Sequence, residues 1–237
     1  MHPKLRNLLN QHIVASYHKQ QYLSDAVGER PWSFDLASGT IFFGEFLSFS
    51  TQVLGTESNA SKTWLWSWAN SASGIPTAHL KAAAKLRAIG ADNGVDELTT
   101  PELATKNVSA QDLAMIAAGL FGAGAYYRAP YSGESSGGGS ADGGAVWLIL
   151  MDPDGRLARR QQVDAAKAVS VFTQALMGLP ITDHLTAFKG YMQWLEWPYE
   201  KPGTAVVATD PSGTQVTAQF DSHHRLQSVQ AATAGSR

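Results

Sequence analysis

The hydrophobic positions near the N-terminus repeat with the period of an α-helix. Leu5, Leu8, Leu9 and Ile13 fall on one side of such a helix, with polar residues between them, and this spacing predicts an amphipathic helix up to about Ser24. The same period returns in four later segments, which we also predict as helices: 76–90, 109–120, 169–176 and 182–195.

Alternation with a period of two predicts strands between these helices. Residues 32–54 indicate a hairpin that turns at Ser38-Gly39, followed by a third strand. Residues 125–131 and 145–152 indicate two further strands, separated by the Gly/Ser-rich segment 132–144, which we predict to be a flexible hairpin loop because it contains too few apolar residues to pack. A last hairpin is predicted to turn at Asp210-Pro211-Ser212-Gly213 and to precede a short strand.

The segment GTESNASKTWLWSWAN, residues 55–70, allows two interpretations. A phosphate-binding loop has the pattern G-x-x-x-x-G-K-[ST], but Ser61 replaces the second glycine and the Lys-Thr pair arrives one position late. Such a loop must also open a helix, whereas Trp64, Trp66 and Trp68 recur with a period of two. We therefore predict a hairpin connection and a strand with three indoles on one face.

These elements together predict an α+β fold. Helices and hairpins alternate in groups, which favours a curved antiparallel sheet of hairpins with helices packed on one side over a doubly wound parallel sheet. We expect one domain over residues 1–237, with the Gly/Ser-rich loop as its flexible part.

Composition and charge exclude several classes of function. The 237 residues are 44% hydrophobic and 16% charged, which suits a chain with a substantial core. The net charge of -2 offers no general attraction for nucleic acid or for an anionic membrane surface. No segment approaches the about 20 apolar residues of a membrane-spanning helix, and cysteine is absent, so the sequence predicts a soluble cytoplasmic protein without thiolate chemistry.

The aromatic motifs resemble an uncharacterised bacterial family that is defined as a domain of unknown function. The similarity rests on W-S-F-D at 32–35, G-T at 55–56, K-T-W-L-W-x-W-A-N at 62–70 and A-Y-Y-R at 125–128, and it covers roughly residues 28–130. The resemblance implies a bacterial, cytoplasmic protein. It brings no catalytic residues.

The tryptophans are the leading candidates for a ligand site, but they also suit a core. With Trp32 on a neighbouring strand, Trp64, Trp66 and Trp68 would wall an apolar pocket. Indoles bury large areas in ordinary domains, and we favour the core interpretation. Asp35, near Trp32, and two residues of the predicted strand 125–131 complete the candidate ligand-binding set, which comprises Trp32, Asp35, Trp64, Trp66, Trp68, Tyr127 and Arg128.

Catalytic and metal chemistry receive weaker support from the sequence. Asp35, Glu45 and Glu57 are the carboxylates nearest the predicted tryptophan strand, and a hydrolase would use two of them with Arg128 holding an anionic substrate. His184 and His223 have no recognised metal-ligand spacing, so we predict neither a metal nor another cofactor.

The sequence therefore favours a binding or protein-interaction module, with an unknown protein or a small molecule as its partner. The alternative is a hydrolase-like small-molecule enzyme with a pocket between the tryptophan strand and the helix that begins at Ser109.

Overall fold

The computed structural model describes residues 1–131, 143–157 and 160–233 of the chain. Within these ranges there are six α-helices: α1 (Pro3–Val27), α2 (Lys81–Asn93), α3 (Asp96–Thr99), α4 (Ala110–Leu120), α5 (Ala165–Gly178) and α6 (His184–Leu195). The strands form two antiparallel sheets, so the predicted α+β class is confirmed.

The first sheet contains seven strands in the described part of the chain. They are β1 (Trp32–Asp35), β2 (Thr40–Phe43), β3 (Leu47–Ser58), β4 (Thr63–Trp66), β5 (Glu102–Ala104), β6 (Ala125–Tyr131) and β7 (Gly144–Met151). Strand β3 is the centre of this sheet: β2 pairs with its first four residues, β4 pairs with its last four, and β7 pairs along its other edge.

The second sheet comes from the C-terminal part of the chain. It contains β8 (Tyr199–Glu200), β9 (Ala205–Thr209), β10 (Thr214–Phe220) and β11 (Leu226–Thr233), in the order β11-β10-β9-β8. The predicted hairpin with its turn at residues 210–213 is confirmed by the pairing of β9 with β10.

A β-bulge in β3 decides which side of the first sheet each aromatic residue occupies. The register shifts between Val53 and Gly55, and an extra residue in a strand reverses the alternation of faces beyond it. Before the bulge, Phe49 and Val53 belong to a smaller buried cluster. Beyond it, Gly55 pairs with residues of the larger cluster, which also contains Trp64 and Trp66.

Helix α1 packs its apolar stripe into the larger cluster, as its periodicity predicts. Leu5, Leu9 and Ile13 are fully or almost fully buried there. The helix also lies very close to α6, since a Cβ atom at Gly190 would overlap the backbone of Gln11. Only glycine permits this approach.

Two predictions from the sequence differ from the structure or fall outside it. The tryptophan strand ends at Trp66, and Trp68 lies in a 3-10 helix, Ser67–Ala69, so the three indoles do not share one strand face. Alternation with a period of two does not show where a strand stops.

The predicted loop 132–144 lies almost entirely outside the described residues, while its flanks, β6 and β7, pair antiparallel as a hairpin requires. The expectation of one domain stays a prediction.

We predict that Trp66→Ala destabilises the protein by about 3–5 kcal/mol, because the indole is fully buried and its removal leaves a large cavity. Trp32→Ala is the control, because Trp32 is only partly buried and should lose less. Denaturant unfolding measures both. A loss for Trp66→Ala no larger than that of the control would contradict the core assignment.

We also predict that Asp210 stabilises the turn of the last hairpin. Its buried carboxylate accepts hydrogen bonds from the backbone N–H groups of Ser212 and Thr214, and also from the N–H of Ala165 at the start of α5. Asp210→Ala should cost about 1–3 kcal/mol, because these donors lose their partner. Asp221→Ala, in a similar but more exposed turn, should cost less.

The pH dependence provides a second test of Asp210. Burial opposes ionisation, but the hydrogen bonds from Ser212, Thr214 and Ala165 outweigh it and lower the pKa of Asp210 in the folded state. The carboxylate therefore contributes stability that is complete above the unfolded pKa of about 3.9 and is lost as the pH falls through the folded pKa. The difference in unfolding free energy between wild type and Asp210→Asn should shrink on acidification.

Candidate functional site

The two tryptophans of β4 lie in the core. Trp64 and Trp66 have no exposed surface, and their rings make an edge contact with centroids 5.2 Å apart. The indole nitrogen of Trp66 donates a hydrogen bond to the carbonyl oxygen of Glu97 at 3.0 Å. A ligand reaches these rings only if the core opens.

Trp32 and Tyr127 meet each other on the opposite face of the first sheet. Their ring centroids are 5.8 Å apart, and Tyr127 also contacts Phe43 at 5.0 Å. Because the bulge separates this group from Trp64 and Trp66, the structure does not assemble the four-tryptophan pocket wall that the sequence suggested. Trp68 instead packs under the guanidinium of Arg87, at 4.2 Å from the ring centroid.

Arg128 forms an ion pair with Glu57. Its Nε atom lies 3.3 Å from Oε2 of Glu57, and the same oxygen accepts a hydrogen bond from the indole nitrogen of Trp147 at 3.1 Å. The pairing of β3 with β7 and of β7 with β6 brings these three side chains together. The carboxylate thus holds Arg128 on the sheet, and the contact is partly exposed to solvent.

Asp35 stabilises the turn of the first hairpin. Its side chain accepts a hydrogen bond from the backbone N–H of Ala37 at 2.9 Å, and hydrogen bonds from Ser38 and Ala37 lower its pKa. Arg128 pairs with Glu57 and not with Asp35. In the hydrolase alternative these carboxylates would act together, but in the structure Glu57 holds Arg128 and Asp35 stabilises a turn.

The histidines near the C-terminus are also used in turns and caps. Asp221 accepts hydrogen bonds from the backbone of its own turn, and His184 accepts one from the N–H of Leu226 at 3.1 Å. His224 lies 2.9 Å from the carboxylate of Asp183. In the described ranges, no group of three or more His, Asp or Glu side chains is arranged to hold a metal ion.

A cleft that the sequence did not identify lies on the same sheet face as Trp66, between β3, β7, α2 and the end of α4. We call it the Lys81 cleft. Its volume is about 460 Å³, and it is lined by Gln52, Lys81, Ala82, Lys85, Leu120, Phe121, Gly122, Ile149 and Met151. The alternative derived from the sequence placed a pocket between the tryptophan strand and α4. The end of α4 lines the cleft, as it would line the predicted pocket, but Trp64 and Trp66 are not among the lining residues.

Two lysines at the start of α2 place positive charge beside the Lys81 cleft, where a helix start favours negative charge. Lys81 and Lys85 are one turn apart on α2, and neither forms an ion pair with any residue that the structure describes. Two like charges at this spacing repel each other, and the positive end of the helix dipole adds to the repulsion. No acidic residue occupies the first turn.

Gln52 fixes the position of the helix beside this cleft. Its side-chain oxygen accepts a hydrogen bond from the N–H of Ala82 at 3.2 Å, and its amide nitrogen donates one to the carbonyl oxygen of Ala78 at 3.1 Å. The start of α2 is therefore attached to β3 by a polar side chain. The pattern K-x-x-x-K at a helix start is the sequence signal that could have identified the site.

The chain belongs to a family of unknown function (DUF6882), whose family model matches residues 6–153. The predicted membership of a family of unknown function is confirmed, and the match extends beyond residues 28–130 on both sides. The whole Lys81 cleft falls within the matched range. No curated protein and no solved structure matches the chain. Over the described residues, no helix is long and apolar enough to cross a membrane.

We predict that Lys81→Glu stabilises the ligand-free protein by about 0.5–1 kcal/mol at low ionic strength. The substitution removes a like-charge pair, creates an opposite-charge pair with Lys85 and places an acid at the positive end of α2. Denaturant unfolding at low and high salt tests this, and the gain should decrease with salt. Lys106→Glu, outside any helix, is the control and should change stability little. A destabilised Lys81→Glu variant would contradict the electrostatic description of the cleft.

Proposed function

We propose that this DUF6882 member is a binding protein for a small anionic amphipathic molecule, which it holds in the Lys81 cleft. The observation that carries the proposal is the combination of an apolar cleft of about 460 Å³ with two ammonium groups at one end that form no ion pair within the described part of the chain. Clefts of this size and composition are typical of small-molecule sites.

The apolar part of the ligand would lie on the sheet and on the end of α4. Ile149 is fully buried, and Met151 and Phe121 are partly buried beside it. An apolar group that covers Met151 and Phe121 removes their exposed surface from water, which is favourable by about 25 cal/mol per Å². This part of the cleft provides affinity without fixing a detailed ligand shape.

The anionic end would lie at the start of α2. A carboxylate there meets the ammonium groups of Lys81 and Lys85 and the positive end of the helix dipole. Binding would also relieve the repulsion between the two lysines. The charge that is unfavourable in the free protein therefore becomes favourable in the complex, and this difference supports an anionic ligand over a neutral one.

The composition of the cleft supports binding over hydrolysis. Among its described lining residues there is no carboxylate, histidine, serine or threonine. General acid–base and nucleophilic hydrolysis most often use such groups within hydrogen-bond reach of the substrate, and the two lysines of the lining have no carboxylate or histidine beside them there to act as a second acid–base group. We therefore place the binding function ahead of the hydrolase alternative. The bacterial origin and cytoplasmic location implied by the family resemblance stay predictions.

Isothermal titration calorimetry with decanoate tests the proposal. We expect wild type to bind decanoate and to bind decanol at least tenfold more weakly, because decanol lacks the charge. The double variant Lys81→Glu/Lys85→Glu should lose at least tenfold in decanoate affinity, which corresponds to about 1.4 kcal/mol.

A matched variant controls for net charge. Lys106→Glu/Lys201→Glu changes the charge of the protein by the same amount at exposed positions outside the cleft, and it should bind decanoate like wild type. Equal losses in both double variants, or equal affinity for decanoate and decanol, would show that the Lys81 cleft is not an anion-specific site.

A further inference from the structure

A second cleft lies where α1, the end of α4 and α6 meet, and we call it the Lys19 cleft. Its volume is about 260 Å³, and its lining includes Gln11, His12, Lys19, Gly119, Gln193 and Trp194. Two glycines allow the helices to approach here. A Cβ atom at Gly119 would overlap the His12 ring, and one at Gly190 would overlap the backbone of α1.

Lys19 is the unusual residue of this cleft because its charge is buried without an acidic partner among the residues that the structure describes. The side chain is only 4% exposed. Its ammonium donates one hydrogen bond, to the carbonyl oxygen of Ala123 at 2.7 Å, and lies 5.8 Å from the centroid of the Trp194 ring. No ion pair joins Lys19 to any described residue.

The groups around Lys19 do not neutralise its charge. Arg160 repels it and is itself paired with Glu196 at 2.6 Å. Burial and, secondarily, the repulsion from Arg160 lower the pKa of Lys19 to about 8. His12 is kept neutral, because burial and the nearby Lys19 lower its pKa to about 4.

A purely structural role explains one of the three ammonium donors. The carbonyl of Ala123 lies just beyond the C-terminal end of α4, where the helix dipole favours a cation. The other two donors have no described partner, and leaving a buried charge incompletely paired is costly. An anion in the adjoining cleft would complete the hydrogen bonding and supply the missing charge.

We propose that the Lys19 cleft binds a small organic monocarboxylate, with Lys19 as its counter-charge. One ammonium beside a neutral imidazole matches a single negative charge, whereas a phosphate dianion would stay unbalanced. The side-chain amide of Gln11 offers a further donor, and the face of Trp194 offers an apolar wall for the body of the acid. This site is independent of the Lys81 cleft and does not rest on the function proposed for it.

Benzoate and benzamide are suitable probes, because they have nearly the same shape and differ in charge. We expect calorimetry at about pH 7 and constant ionic strength to show benzoate binding at least tenfold tighter than benzamide binding. Lys19→Met removes the charge but keeps an unbranched side chain, and it should abolish this preference. Lys201→Met, at an exposed site outside the cleft, should retain it.

The Lys81→Glu/Lys85→Glu variant separates the two sites. It should bind benzoate like wild type, whereas loss of benzoate binding in this variant would assign the probe to the Lys81 cleft and overturn the present proposal. Equal affinity for benzoate and benzamide in wild type, or an unchanged preference in Lys19→Met, would overturn it too.

Proton linkage in wild type tests the role of Lys19 without any substitution. Benzoate should raise the pKa of Lys19, so binding at about pH 8.5 should take up protons, and binding at about pH 6.5 should take up almost none. Titrations in two buffers of different ionisation enthalpy measure this uptake. Affinity should fall about tenfold or more between about pH 7 and about pH 9.5. Binding without proton uptake at the higher pH would exclude Lys19 as the counter-charge.

Discussion

The backbone pairing of β3 is the constraint on which the rest of the first sheet depends. On one edge of this 12-residue strand, β2 pairs with its beginning and β4 pairs with its end. On the other edge it pairs with β7. Each hairpin of the sheet therefore takes its register, directly or through one neighbour, from β3. The bulge between Val53 and Gly55 then sends the aromatic residues before and after it to opposite faces.

The end of α4 connects the two clefts. Gly119 lines the Lys19 cleft, and residues 120–122 line the Lys81 cleft. Gly122 has a φ of 62°, which an L-residue rarely adopts, and the N–H of Ala123 bonds back to the carbonyl of Ala118. This turn fixes the carbonyl that accepts the hydrogen bond from Lys19. A change in its conformation would alter the walls of both clefts.

The two proposed sites use positive charge in different ways. Lys81 and Lys85 are exposed, and their mutual repulsion, which salt can screen, lowers the stability of the free protein. Lys19 is buried, and its cost is desolvation, which salt does not reduce and which appears as a lowered pKa. Affinity at the first site should therefore depend mainly on ionic strength, and affinity at the second mainly on pH.

The sequence by itself determined the α+β class, the amphipathic face of α1 and the hairpin turns, because these follow from local periodicity and turn chemistry. It also placed Trp64 and Trp66 on one face, since residues two apart in a strand always share a face. It placed Trp32 wrongly, on the same pocket wall as these two, because a single inserted residue in β3 reverses the faces and has no strong sequence signal. The partners of Arg128 and the two lysine clefts were decided only by the tertiary structure. Each cleft joins residues that are far apart in the chain, Lys81 and Ile149 in one and Lys19 and Trp194 in the other. Only the packing of helices on the sheet and on each other brings charge and apolar surface together.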